Sequence, residues 1–172
     1  PDVDEADVQL PSRVGVCLDT SIFVPHCTAA NRPFILNRTP NGIVWVAAAF
    51  NAPAHSWVEL INEGDIFVVQ DIRGRFGSEG QFVMLRPMRD KNDKAAIDES
   101  TDAYDTIDWL LKNVSHNNGR AEMLGTSYPG WPTVIAMRDP PPALKAVAPA
   151  PSPADRFLDA PFHHNRAFRL SS

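Results

Sequence analysis

Apolar and polar positions along the chain follow two periods in turn, and the changeovers predict an alternating series of strands and helices. Thr20 to Val24 and Phe34 to Leu36 are β-prone runs on either side of a His26 to Arg32 connector with Pro25 and Pro33 at its ends, and they predict an opening strand pair. Ile66 to Val69 is wholly apolar, the pattern of a strand buried on both faces. Ala103, Tyr104, Ile107, Leu110, Leu111 and Val114 recur at helical spacing, which predicts an amphipathic helix facing a core, ended by the run Ser115 to Gly119. Asp98, Glu99 and Asp102 crowd its positive end and Lys112 sits near the other, as the helix dipole favours. Ala121 to Leu124 predicts a further strand, followed by a second helix running towards Met137 and stopped by Pro140, Pro141 and Pro142. Lys145 to Ala148 predicts a final strand before a Pro-rich loop, Pro149 to Pro153. His55 to Glu63 has Trp57, Leu60 and Ile61 at helical spacing before Gly64, whereas Val44 to Phe50 shows no clean period and stays open between helix and loop.

Two glycine-bearing turns interrupt this series. Asp71 to Gly80 describes a tight loop at the C-terminal end of a strand, and its G-x-x-G-x-x-G spacing differs from the dinucleotide fingerprint. Arg73, Arg75 and Glu79 are expected to pin that loop through charge pairs of its own. The second turn, Gly125-Thr126-Ser127-Tyr128-Pro129-Gly130, joins a strand to a helix. A Ser held there by small neighbours is the arrangement of a nucleophile elbow, whose strained backbone lifts the hydroxyl above the sheet. The Tyr128 N–H then faces the place where an oxyanion develops. The competing reading is a small-residue turn that happens to contain Ser, with one residue more than G-x-S-x-G allows.

Composition narrows the function classes. The chain has 172 residues, 16 Lys plus Arg against 21 Asp plus Glu and a net charge of -5, which fits one folded unit and argues against a nucleic-acid partner. No window approaches the ~18 apolar residues of a membrane span, and Pro1-Asp2-Val3-Asp4-Glu5 has no leader profile. No membrane partner is expected, and the compartment is left open. Cys17 and Cys27 lack metal-ligand spacing and are read as free thiols. Asp102, Asp105 and Asp108 recur every three residues and are read as a solvated helix face, so neither metal nor cofactor is expected. His26, His55 and His116 are read as surface or packing residues.

Five segments together carry a resemblance. Arg38-Thr39-Pro40, Gln70 to Gly80, Thr101 to Leu110, Gly125 to Gly130 and Phe162-His163-His164-Asn165 resemble, in this order, the family of α-amino acid ester hydrolases, cocaine esterase and X-Pro dipeptidyl-peptidases. The likeness runs from about Gly15 to Ser172, leaving 1–14 as an N-terminal tail. It implies the N-terminal part of an α/β-hydrolase fold, a mostly parallel sheet with flanking helices, without the helical cap and C-terminal jelly roll. It also implies that Ser127 attacks an ester or amide carbonyl to give an acyl-enzyme, with Tyr128 offering its backbone N–H.

Three departures from the family pattern stand out. Asn41 occupies the place of the family's oxyanion Tyr, directly after Arg-Thr-Pro. Ala160-Pro161 replaces an Asp-Asp pair that contributes to holding a substrate ammonium, leaving Asp159 beside it as a substrate-binding candidate. Pro132 falls in the helix after the elbow, where it removes an N–H donor unless it lies in the first turn. The triad acid and base are expected beyond Ser172, with His163 and His164 as a structural pair. The implied function is a serine hydrolase of esters or amides acting on small molecules. The alternatives are an X-Pro dipeptidyl-peptidase and a catalytically silent fragment. A half sheet with an open edge also predicts self-association.

Overall fold

The computed structural model describes residues 3–26, 31–44, 60, 63–84, 86–93 and 95–152. Six strands form one mixed sheet: β1 (Val3–Pro11), β2 (Cys17–Pro25), β3 (Arg32–Thr39), β4 (Ile66–Asp71), β5 (Asn117–Thr126) and β6 (Leu144–Ala150). Two helices are described, α1 (Glu99–Asn113) and α2 (Gly130–Ala136). The spatial order is β1-β2-β4-β3-β5-β6. β1 and β2 are antiparallel, as are β2 and β4, whereas β4, β3, β5 and β6 run parallel.

This order corrects the opening strand pair, because β2 and β3 are not neighbours and β4 lies between them. Parallel strands need a long crossover, and the chain between Thr39 and Ile66 supplies one that returns β4 to the far side of β3. The expected tail, 1–14, is corrected as well, since most of it is β1. Its nine residues pair with β2 through a turn in which Gly15, at φ +76°, accepts the left-handed conformation. Only Leu10 of this strand is buried, so its place comes from the hairpin and not from an apolar face of its own.

Both faces of the central strands are covered, which is why β4 is buried along its whole length. On one face Phe34, Leu36, Ile66, Val68, Ala121 and Met123 pack against Ala103, Ile107 and Leu110 of α1 and Ala136 of α2. On the other, Ile35, Phe67 and Val69 gather with Phe23 and Ile43. The predicted stripe on α1 is therefore the one it buries. Asp98 caps this helix, accepting from the Ser100 and Thr101 amides while Thr101 Oγ1 accepts from the Asp98 amide, a complete capping box. β6 extends through Pro149 and Ala150, which pair with Gly125 and Thr126, so the loop expected from Pro149 begins after Ala150.

Candidate active site

Ser127 lies one residue past the end of β5 and three before α2, with φ at +62°. A non-glycine residue in the left-handed region is uncommon and is held there by its surroundings. Those surroundings are visible in the backbone bonds. The Ser127 amide donates to Ala150 O on β6 at 3.2 Å, the Gly130 amide to Ser127 O at 3.1 Å, and the Trp131 amide to Tyr128 O at 2.9 Å. A Cβ on Gly125 would lie 2.2 Å from Pro129 O, and one on Gly130 would lie 2.9 Å from the Ser152 Cβ. The two glycines of G-x-S-x-x-G are thus required by close backbone approach, and the extra residue before the second glycine is accommodated. Ser127 is exposed at the C-terminal end of the strands, where open α/β sheets place their ligands.

Pro132 resolves simply. α2 starts at Gly130, so Pro132 is its third residue, in the first turn, where an N–H has no intrahelical acceptor. Tyr128, next to the serine, packs edge-to-face on Trp131 with ring centroids 6.0 Å apart.

Asn41 is brought to the same end of the sheet. β3 neighbours β5, and the pairing of Leu36 with Met123 carries Thr39 and Thr126 to matching heights. The Asn41 amide donates to Thr39 Oγ1 at 3.0 Å, which leaves the side chain as the group able to reach outward from this exposed position. Asp159, Asp155, Ala160-Pro161, His163 and His164 lie outside the described residues, as do Cys27 and His55. His26 is exposed beside Asp4 at 2.6 Å, and Cys17 carries a free thiol.

The glycine loop after β4 is fixed differently from expectation. Arg73 reaches out of the loop, with Nε and Nη2 donating to the two oxygens of Asp102 on α1 at 3.0 and 2.6 Å, and Nη2 also to Ser12 Oγ. Arg75 Nε donates to Pro40 O at 3.0 Å and its guanidinium lies over Phe76 and Phe82. Glu79 binds β2, accepting from the Cys17 amide through Oε2. The loop is closed on itself by the Gly74 N–H to Glu79 O bond and by Asp71 at its start, whose carbonyl accepts from Ser78 Oγ at 2.7 Å and whose Oδ2 accepts from the Gly77 amide at 3.4 Å.

Asp102 is accordingly not on a solvated face but 2% exposed, in a buried network. Arg38, fully buried on β3, donates from Nε to Gln70 Oε1 and from Nη1 to Glu99 Oε2 at 2.9 Å, with Asp102 Oδ2 3.7 Å from Nη2. Burial pushes the Glu99 carboxyl up, opposed by the Arg38 charge beside it. The network escaped the sequence reading, although one signal was present: Phe34, Leu36 and Arg38 share a strand face, so an Arg continues an apolar row. Asp105 bonds Arg13, and Asp108 alone of the three pairs with a surface residue on its own helix, Lys112.

Among the described residues no group of three or more His, Cys, Asp or Glu could hold a metal ion, and no helix is long and apolar enough to cross a membrane. A groove lined by Tyr104, Leu111, Gly119 and Pro141 lies at the opposite end of β5 from Ser127 and has no part in this site.

The strand order and the serine at the turn after β5 define the class: this is an α/β-hydrolase fold. Residues 15–172 match the X-Pro dipeptidyl-peptidase (S15) family, and the chain belongs to it. It is 32% identical over 155 residues to the cocaine esterase of Rhodococcus sp. (strain MB1 Bresler), a match covering 88% of this chain and 24% of the esterase. Among solved structures, an aminopeptidase from a marine sediment Thaumarchaeota archaeon superposes with a TM-score of 0.89 at 37% identity, over 98% of this chain and 28% of that one. An α-amino acid ester hydrolase superposes with a TM-score of 0.80, also at 37% identity and over the same shares of both chains. The chain therefore spans roughly a quarter of the length of these hydrolases, namely their N-terminal part.

Proposed function

We propose that this chain carries the nucleophile of a serine hydrolase, with Ser127 attacking an ester or amide carbonyl to form an acyl-enzyme that water then cleaves. The observation that carries the reading is Ser127 itself, exposed and at φ +62° between a parallel strand and a helix. The residue after the nucleophile in this fold contributes a backbone N–H to the oxyanion, and in this chain that residue is Tyr128. Asn41, one strand over, is the second donor, through its side-chain amide. The triad acid and base come from later in the family fold, and Asp159 is a candidate for contacting the substrate.

The esterase relative favours acyl esters. The family description and the aminopeptidase relative favour peptide substrates, so cleavage of an X-Pro amide is the second reading. A catalytically silent chain is the third, since Asn41 replaces the family Tyr and the acid and base are not among the described residues.

Treating the purified chain with a fluorophosphonate and measuring intact mass tests the first step. Stoichiometric labelling lost in Ser127→Ala is expected of an activated nucleophile. A correctly folded chain without Ser127-dependent labelling would leave the silent reading. Turnover of p-nitrophenyl acetate against an X-Pro anilide then separates esterase from peptidase, and exclusive anilide cleavage would sink the esterase reading.

A further inference from the structure

The carboxyl group at the end of β4 has no place in the chemistry above, yet its surroundings are unusual. Thr20 pairs with Gln70, so Asp19 and Asp71 stand opposite each other at the next step of the same ladder, on the face of Phe67 and Val69. Like charges so placed oppose each other. Asp71 is 1% exposed. Its Oδ2 accepts from the Gly77 amide at 3.4 Å, and its Oδ1 completes no hydrogen bond, while the nearby Ile43 amide favours the charged form.

Gly77 belongs to the glycine loop and Ile43 to the segment that follows Asn41. Two further contacts join the same pieces: Arg75 Nε donates to Pro40 O at 3.0 Å, and the Phe76 ring lies 3.4 Å from where a Gly42 Cβ would be. Phe76 holds this position at φ +45°, a second strained non-glycine residue at this end of the sheet. The glycine loop is thus laid against Pro40 and Gly42 through Arg75 and Phe76, with the Asp71 carboxyl behind it.

We propose that Asp71 is a positioning residue: its carboxylate holds the Gly77 amide and with it the loop whose Arg75 and Phe76 pack on Pro40 and Gly42, so fixing Asn41 at the oxyanion side, and uptake of a proton by Asp71 releases that segment. The effect on catalysis rests on the serine-hydrolase reading; the clamp itself does not. Burial pushes the Asp71 carboxyl up to about 6, with Asp19 adding to the rise and the Gly77 and Ile43 amides and the Arg75 guanidinium opposing it. Asp19 on β2 and Arg75 in the loop are the charges that face it. Asp7 on β1 acts at one remove by raising Asp19. Arg38 of β3 is engaged on the opposite face with Gln70 and Glu99, and Pro40 to Ile43 contains no titratable side chain.

Amide shifts of Gly77 and Ile43, followed by NMR in the full chain between about pH 4.5 and 8, test the clamp. Expected is one shared titration near 6 that Asp71→Asn abolishes and Asp19→Asn moves lower, with faster hydrogen exchange at Gly42 and Ile43 in Asp71→Asn. Fluorophosphonate labelling of Ser127 should slow roughly tenfold in Asp71→Asn, less than the ~100-fold lost with a whole oxyanion donor. Amides that titrate separately or not at all would overturn the proposal, as would unchanged labelling and exchange in Asp71→Asn. If Asp71→Asn does not fold, an Asp19→Asn variant with an unshifted midpoint overturns it equally. If the wild type resists labelling, the Ser127 reading falls, while the shared titration and the exchange rates still decide for or against the clamp.

Discussion

The Ser127 amide and the Ala150 carbonyl are joined by a hydrogen bond of 3.2 Å, which fastens the turn after β5 to the neighbouring strand β6. The nucleophile candidate is therefore held from two sides, by β5 below and β6 beside it, and the room between them is measured by glycines. Gly125→Ala would drive a Cβ to 2.2 Å from the Pro129 carbonyl oxygen. Backbone has nowhere to yield there, so a loss of about 3 kcal/mol or more in urea unfolding is expected, together with loss of Ser127 labelling. Gly119→Ala is the control. Its φ of +78° also disfavours a side chain, but nothing lies within 4 Å, and only the backbone cost of about 1–2 kcal/mol should appear.

The Arg38 to Glu99 pair makes a second prediction. Removing one partner of a buried pair leaves an uncompensated charge, so Arg38→Met is expected to cost about 3–5 kcal/mol near neutral pH. Without Arg38 the Glu99 carboxyl, already raised by burial, rises further. A folded-state carboxyl raised above its unfolded value binds protons that the unfolded chain releases, so the deficit should shrink as pH falls towards the usual carboxylate range. The double variant Arg38→Met, Glu99→Gln should recover much of the loss, measured as Tm or urea midpoint. A deficit that does not change with pH would count against this account.

Arg73 tests shape apart from charge. Its Nε and Nη2 meet both oxygens of Asp102 at 3.0 and 2.6 Å, a fork that an ammonium does not reproduce. Arg73→Lys should therefore destabilise by about 1–3 kcal/mol despite keeping the charge. The exposed Lys112 to Asp108 pair offers the contrast, and Lys112→Gln should leave the unfolding midpoint nearly unchanged.

What could be read from the sequence follows from where each element gets its stability. β4 and α1 are legible because burial of their own side chains writes an apolar run on one and a helical stripe on the other. The turn at Ser127 is legible because part of its constraint is local, Gly125 touching the backbone of Pro129 and Gly130, although Gly130 is also pressed by Ser152 from beyond β6. β1 is not, since eight of its nine residues are not buried and its order comes from the hairpin with β2. The insertion of β4 between β2 and β3 depends on a crossover that no local pattern records. The three aspartates of α1 misled for a geometric reason. Each three-residue step falls about 60° short of a full turn, so the row winds from the inner side at Asp102 to the outer side at Asp108. Arg38 and Glu99 meet only through the fold, from a strand and a helix far apart in the chain.

Asp71 yields the last prediction, on stability and not on rate. Its carboxyl is pushed up to about 6 in the folded protein, first by burial and then by Asp19, so the folded state holds this proton where the unfolded chain, near 3.8, has released it. The charged form is thus a cost that is fully present above about pH 6 and fades as pH falls from there towards 3.8. Asp71→Asn cannot carry that charge. Whatever constant offset the amide introduces, the difference in unfolding free energy between variant and wild type should move in the variant's favour by about 1–3 kcal/mol between pH 4 and 7.5. Urea unfolding of both proteins across that range measures it, and parallel stability curves would show that Asp71 titrates alike in the folded and unfolded chains. A variant that gains stability at neutral pH while its Ser127 labels more slowly would be trading the cost of a buried charge against the placement of Asn41, the pattern expected where an active site is held in a strained arrangement.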